Sequence, residues 1–166
     1  MSTLPPLGEE RRSPIAPVGV LVVDDQLAVR EGLARLIACA PMPLRFVRAV
    51  ATGAEALMAL AALRPDVIVL DVDLAGEDGL ALLPQMVGKA SVLVLTSHGD
   101  AATRARAGRL GAHAFIEKHQ PAADLLGSIV RLGLRQVQGE KPPTLLGASS
   151  PVAVVASSTV QAPRHF

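Results

Sequence analysis

No tryptophan and no tyrosine occur in the 166 residues, and phenylalanine occurs three times. Stacking of bases on aromatic platforms is therefore excluded, and the core has to come from Leu, Val, Ile and Ala. A single cysteine, Cys39, precludes a disulfide framework within one chain and favours a reducing, cytoplasmic setting. Set in an apolar helical pattern, it reads as a small core residue. Excess charge of either sign is missing too: 16 Lys and Arg against 15 Asp and Glu leave +1. That is no footprint for nucleic acid or an anionic membrane surface. No apolar run approaches the roughly 18–20 residues of a membrane span, and the Pro-rich start holds no signal-peptide core.

What is present is a hydrophobic half of the chain arranged in alternating units. Residues 1–17 read as a disordered, Pro-rich lead-in and 138–166 as a disordered Pro/Ser/Ala tail, in which "PVAVVASSTV" is an opportunistic strand at most. Between them, "VGVLVV" (18–23), "DVIVL" (66–70) and "SVLVLTS" (91–97) are short continuous apolar runs, the pattern of strands buried on both faces. "LRFVRAV" (44–50) reads as an outer strand and "HAFIEK" (113–118) as a fifth.

Helical periodicity fills the gaps. The first helix carries Val29, Leu33, Leu36, Ile37 and Ala40, and the second covers 53–63. A short third is interrupted by Pro84. The fourth, 100–112, has a small inner face of Ala101, Ala105, Gly108 and Ala112, and the fifth covers 121–137. Five strands alternating with five helices predict a parallel sheet covered on both faces, doubly wound by the right-handed crossover rule.

In such a sheet the C-terminal strand ends share one edge, where ligands bind. Those ends carry Asp24 and Asp25, then Asp71, then Thr96, then Lys118. Three converging carboxylates cannot all ionise cheaply; a divalent cation relieves them, and an all-oxygen donor set suits Mg²⁺. A hydroxyl and an ammonium opposite suit the oxygens of a phosphoryl group. Taken singly, each residue has a plain alternative: Asp25 as a helix cap, Asp71 as a turn former, Thr96 as a loop hydroxyl, Lys118 as a surface charge, Phe115 as core.

The segments "VLVVDDQLAVREGLARLI", "PDVIVLDVDLAGEDGLALL", "VLVLTSHGD" and "GAHAFIEKHQPAADLLGSI" resemble, in order and spacing, the receiver domain of bacterial two-component response regulators. The resemblance covers about residues 18–137. It looks closest to receivers of the LuxR/NarL-type subfamily, whose members usually carry a C-terminal helix-turn-helix. It implies a flavodoxin-like five-stranded sheet of order 2-1-3-4-5. It also implies that Asp71 is the phosphoacceptor for a sensor histidine kinase or phosphotransfer protein. Asp25, Asp71 and the backbone carbonyl of Asp73 would hold Mg²⁺, with Asp24 acting mainly through a metal-bound water. Lys118 and Thr96 would meet the phosphoryl oxygens, and Phe115 would be the switch aromatic.

The same resemblance implies a signalling switch that phosphorylates and dephosphorylates itself rather than a turnover enzyme. A downstream protein partner would read the face formed by the fourth helix, fifth strand and fifth helix, where Arg104, Arg106 and Arg109 are exposed. A homodimer through that face is a further expectation. The residues after 137 are too few and too poor in Arg and Lys for a recognition domain, so direct DNA binding is not expected, and a truncated DNA-binding regulator is the alternative.

Two departures stand out. Receivers usually place a cis-proline after the lysine, where this chain has His119; a non-proline cis bond costs about 2.5–4 kcal/mol, so a trans peptide and an altered loop are expected. Asp73 and His98, each two residues beyond a site residue, are placed to change the lifetime of the phosphorylated state. A rival resemblance is to haloacid-dehalogenase-like phosphatases, with Asp71 as nucleophile and Asp73 as general acid. Chain order disfavours it, because the acidic pair Asp24–Asp25 precedes the other motifs instead of following them.

Overall fold

The computed structural model describes residues 15–140 and Leu145. Most of the expected lead-in and tail, including the run at 151–160, lies outside the described residues. The elements are β1 (Val18–Val23), α1 (Leu27–Ala38), β2 (Leu44–Val50), α2 (Gly53–Leu63) and β3 (Val67–Asp71). After β3 a small hairpin pairs Asp73–Leu74 with Glu77–Asp78, and a 3₁₀ turn, Gly79–Leu82, leads into α3 (Leu83–Met86). Then come β4 (Ser91–Thr96), α4 (Ala101–Arg109), β5 (Ala114–Glu117) and α5 (Ala122–Val137). The strands form one parallel sheet in the order β2-β1-β3-β4-β5.

Alternation along the strands divides the core into two layers. Val18, Val20, Val22, Val67, Val69, Leu93 and Leu95 pack on one face with Ile37 of α1 and Leu125 and Ile129 of α5. Leu21, Val23, Ile68, Leu70, Val92, Val94 and Phe115 pack on the other with Ala56 and Leu60 of α2, Met86 of α3 and Ala107 of α4. Each fully buried aliphatic side chain contributes roughly 1.5–3 kcal/mol of transfer free energy, so this aliphatic core needs no large aromatic. Gly19 is a packing requirement: a Cβ there would lie 2.6 Å from the ring of Phe46 on β2. Thr52 begins α2 with a reciprocal cap, its hydroxyl accepting from the Glu55 N–H while the Glu55 carboxylate accepts from the Thr52 N–H.

Three expectations need correction. Cys39 is exposed, not core; it follows the last residue of α1 and sits about 200° round the helix from buried Ile37. In α4, Ala101 and Ala105 face solvent, and Ala107 and Gly108 make the buried contact. The helix starts at the Asp100 cap and reaches the sheet only with its C-terminal turn. Pro84 does not interrupt a helix; it sits in the first turn of α3, where its missing N–H breaks no bond. Among the described residues no helix is long and apolar enough to cross a membrane.

Candidate functional site: an acidic cleft at the C-terminal sheet edge

Because all five strands run parallel, the residues ending them meet at one edge. Asp24 and Asp25 follow β1, Asp71 ends its neighbour β3, Thr96 ends β4, and Lys118 follows β5. Oxygens of Asp24, Asp25 and Asp71 lie within 4.8 Å of one another. Asp24 is fully buried and Asp71 is 6% exposed. The Lys118 ammonium donates to Asp24 Oδ2 at 2.7 Å and to Asp71 Oδ2 at 2.9 Å. Asp24 Oδ1 accepts from the Gln26 N–H at 2.9 Å. The Arg30 guanidinium donates to the carbonyls of Asp24 and Asp25, fixing the turn that presents both acids. Gln26, not Asp25, stands at the cap position of α1. That leaves the Asp25 carboxylate without a hydrogen bond among the described residues.

The electrostatics follow from burial. Desolvation pushes the Asp71 carboxyl above its ordinary pKa; the hydrogen bond and charge of Lys118 pull the other way without cancelling it, and nearby Asp24 adds to the rise. For Lys118, burial works against the ammonium, yet its bonds to Asp24 and Asp71 prevail and raise its pKa. Three carboxylates facing one ammonium leave a deficit of positive charge, and the donor set is all oxygen. The residues therefore fit a divalent cation of the Mg²⁺ type.

A cleft of about 400 Å³ opens over these groups, lined also by Asp73, Thr96 and His98. The Thr96 hydroxyl exchanges hydrogen bonds with the backbone of His98, donating to its carbonyl and accepting from its N–H, both at 3.2 Å. The exposed Asp73 carboxylate accepts from the Gly76 N–H at 3.0 Å, shaping the hairpin. Phe115 lies outside the cleft, buried in the α2–α4 layer, with the Arg104 guanidinium 4.5 Å from its ring centroid. No cis peptide occurs among the described residues, so Lys118–His119 is trans; Lys118 reaches both acids all the same.

Some of the geometry has no separate signal in the sequence. Gly79 looks like a turn former, but a Cβ there would stand 2.0 Å from the Asp71 carbonyl oxygen. The hairpin folds back against the backbone of Asp71, and Gly79 donates to the Val72 carbonyl at 2.7 Å. Arg106 of α4 pairs with Asp78 at the end of the same hairpin. Glu117 joins Arg104 at 4.0 Å and His119 at 3.3 Å, and it packs over Gly99 in the β4–α4 loop. An acid before a glycine and an acid before a lysine were the only traces of these contacts.

The fold and this edge define a class of small α/β signalling domains. A family model for the response regulator receiver domain matches residues 20–130. The chain belongs to that family, the receiver domain of two-component signalling. A solved LuxR-family two-component response regulator from Aurantimonas sp. SI85-9A1 is similar at 27% identity and TM-score 0.65, covering 80% of this chain and 94% of that one. The receiver domain of the response regulator NarL from Mycobacterium tuberculosis is similar at 27% identity and TM-score 0.64, covering 70% and 96%. Among curated proteins, protein-glutamate methylesterase/protein-glutamine glutaminase 2 of Anaeromyxobacter dehalogenans is 39% identical over 131 residues, 75% of this chain but 38% of that protein. Response regulator MprA of Mycobacterium sp. (strain KMS) is 33% identical over 129 residues, covering 76% and 55%. The chain thus spans about two fifths to just over half the length of these curated relatives.

Proposed function

We propose that the chain is a phosphorylation-dependent switch in which Asp71 accepts a phosphoryl group from the phosphohistidine of a sensor histidine kinase or a phosphotransfer protein. A carboxylate oxygen of Asp71 attacks phosphorus, the bond to the histidine nitrogen breaks, and that nitrogen keeps the electron pair. The observation that carries this reading is the Lys118 ammonium bridging buried Asp24 and Asp71 while the Asp25 carboxylate faces the cleft without a partner among the described residues. Asp24, Asp25, Asp71 and the backbone carbonyl of Asp73 would hold Mg²⁺, which supplies positive charge to the phosphoryl oxygens. Lys118 keeps its charge for the same oxygens, and Thr96 exchanges its bond with His98 for one to the phosphoryl group. The new charge, about −1.5 to −2 at neutral pH, repositions the β4–α4 loop and, with it, Phe115 and the α4–β5–α5 face that a protein partner reads.

The test is incubation with Mg²⁺ and acetyl phosphate, followed by intact mass, with Asp71→Asn in parallel. One added phosphoryl group in the wild type and none in the variant is the expected result. An unlabelled wild type removes the phosphoacceptor role. Steady release of phosphate from added phosphomonoesters would favour a haloacid-dehalogenase-like reaction of Asp71 and Asp73 instead. The 39% identity to a methylesterase favours a second reading of the output: the phosphorylated face governs a protein-glutamate methylesterase activity. Measuring that activity with and without acetyl phosphate in the presence of this chain tests it.

A further inference from the structure

A second surface lies far from the phosphoacceptor edge in chemical character. β2 is an outer strand whose described pairing is with β1 alone, so its other side presents unpaired backbone donors and acceptors. Above it, α2 overhangs with a stripe at helical spacing, Met58, Ala59, Ala62 and Leu63, forming one wall of an open groove of about 820 Å³ with Phe46 and Arg48 of β2. Met58 is 72% exposed and Leu63 37%. Two of the four exposed large hydrophobic residues among those described share this groove. A helix end or a lone exposed residue would leave them unexplained; a groove combining an open strand edge and an apolar wall is the geometry of strand addition.

The charges choose the occupant. The Arg48 side chain is exposed and has no ion pair or hydrogen bond among the described residues. The only acid lining the groove among the described residues, Glu55, is already taken: its carboxylate accepts from the N–H groups of Ala51 at 2.8 Å and Thr52 at 3.3 Å. Arg45 is held by Asp66 at 3.1 Å, but a second copy adding edge to edge would bring the unpaired Arg48 of both chains onto one seam, and like charges across a strand pair are destabilising. A segment alternating apolar and acidic residues meets the apolar wall and the arginine together.

We infer that the β2 edge and the α2 overhang form a docking groove for an extended, acidic-apolar segment of a partner protein, added as a sixth strand beside β2. This goes beyond the phosphotransfer reading and does not depend on it. Binding buries Met58 and Leu63 under the added strand and neutralises Arg48.

The probe is a synthetic peptide alternating valine and glutamate, of the length of β2, with a valine–lysine peptide as control, titrated into the isotope-labelled full chain by NMR. The expected result is shift changes at residues 44–50 and 55–63 with the acidic peptide only, and affinity weakened by about tenfold or more in Arg48→Glu, a tenfold change being about 1.4 kcal/mol. Both Arg48→Glu and Met58→Asp alter exposed side chains, so an unchanged far-UV spectrum confirms that each remains folded. No binding, equal binding of the two peptides, or indifference to Arg48→Glu overturns the inference. A dimer in sedimentation that Met58→Asp dissociates also overturns it, by assigning the groove to a second copy.

Discussion

Lys118 Nζ lies 2.7 Å from Asp24 Oδ2 across 94 residues of sequence, closer than its 2.9 Å approach to Asp71. The ammonium therefore bridges two buried acids from different strands at once. Removing one partner of such a group strands the others without compensation, which typically costs about 3–5 kcal/mol. Lys118→Met is expected to lower the urea midpoint by a loss of this order at neutral pH. Saturating Mg²⁺ should recover part of it, because a ligand that binds only the folded state stabilises by mass action. Equal midpoints for variant and wild type would show that the bridge is not part of the stability of this edge.

Gly79→Ala is expected to be among the most damaging small substitutions. The added Cβ would meet the Asp71 carbonyl oxygen at 2.0 Å, and backbone cannot step aside as a side-chain tip can. Overpacking of this kind costs roughly 1–3 kcal/mol. The phosphorylation rate with acetyl phosphate should fall along with the denaturation midpoint, because the displaced backbone is that of Asp71, the proposed phosphoacceptor. A variant that is destabilised but phosphorylated at the normal rate would separate the hairpin from the site.

The pairing of Asp78 with Arg106 ties the hairpin after β3 to α4. The Arg106 hydrogen bond holds the Asp78 carboxyl below its ordinary pKa, with the Leu80 N–H adding to the effect. A depressed carboxyl contributes stability that is present above its unfolded pKa and is lost as pH falls through the lower, folded value. Asp78→Asn should therefore destabilise at neutral pH and match the wild type in strong acid. A double-mutant cycle with Arg106→Gln, run at both pH values, should show coupling at the first and none at the second.

Arg104 joins Phe115 to Glu117, stacking over the ring and reaching the carboxylate. Arg104→Ala is expected to cost about 0.5–1 kcal/mol through the lost cation–π contact. The chain has three phenylalanines and neither tyrosine nor tryptophan, so the Phe115 ring is easily resolved by NMR. Its signals should broaden in the variant; an unchanged ring would show that packing against the core alone holds it.

Local pattern determined a good deal. Continuous Val/Ile/Leu runs cannot be solvated, so β1, β3 and β4 had to be central, and the alternating units between them left a parallel sheet as the consistent solution. Parallel strands send their ends to one edge, which is why Asp24, Asp25, Asp71, Thr96 and Lys118 could be assigned to one place from spacing alone. Helix phase is less legible where residues are small: the alanines and the one glycine of α4 carry no periodic signal strong enough to orient it, and Cys39, just past the end of α1, lies off that helix's buried face.

Tertiary structure alone decided the pairings that depend on distance in space rather than position in a period. It put Lys118 between Asp24 and Asp71, left the Asp25 carboxylate unpaired among the described residues, pressed Gly79 against the carbonyl of Asp71, and linked Arg106 to Asp78. It also gave Asp73 a turn to hold, at Gly76. Periodicity records which way a side chain points along its own element. It holds no information on which charge from another element will arrive opposite, and that is where the chemistry of this edge resides.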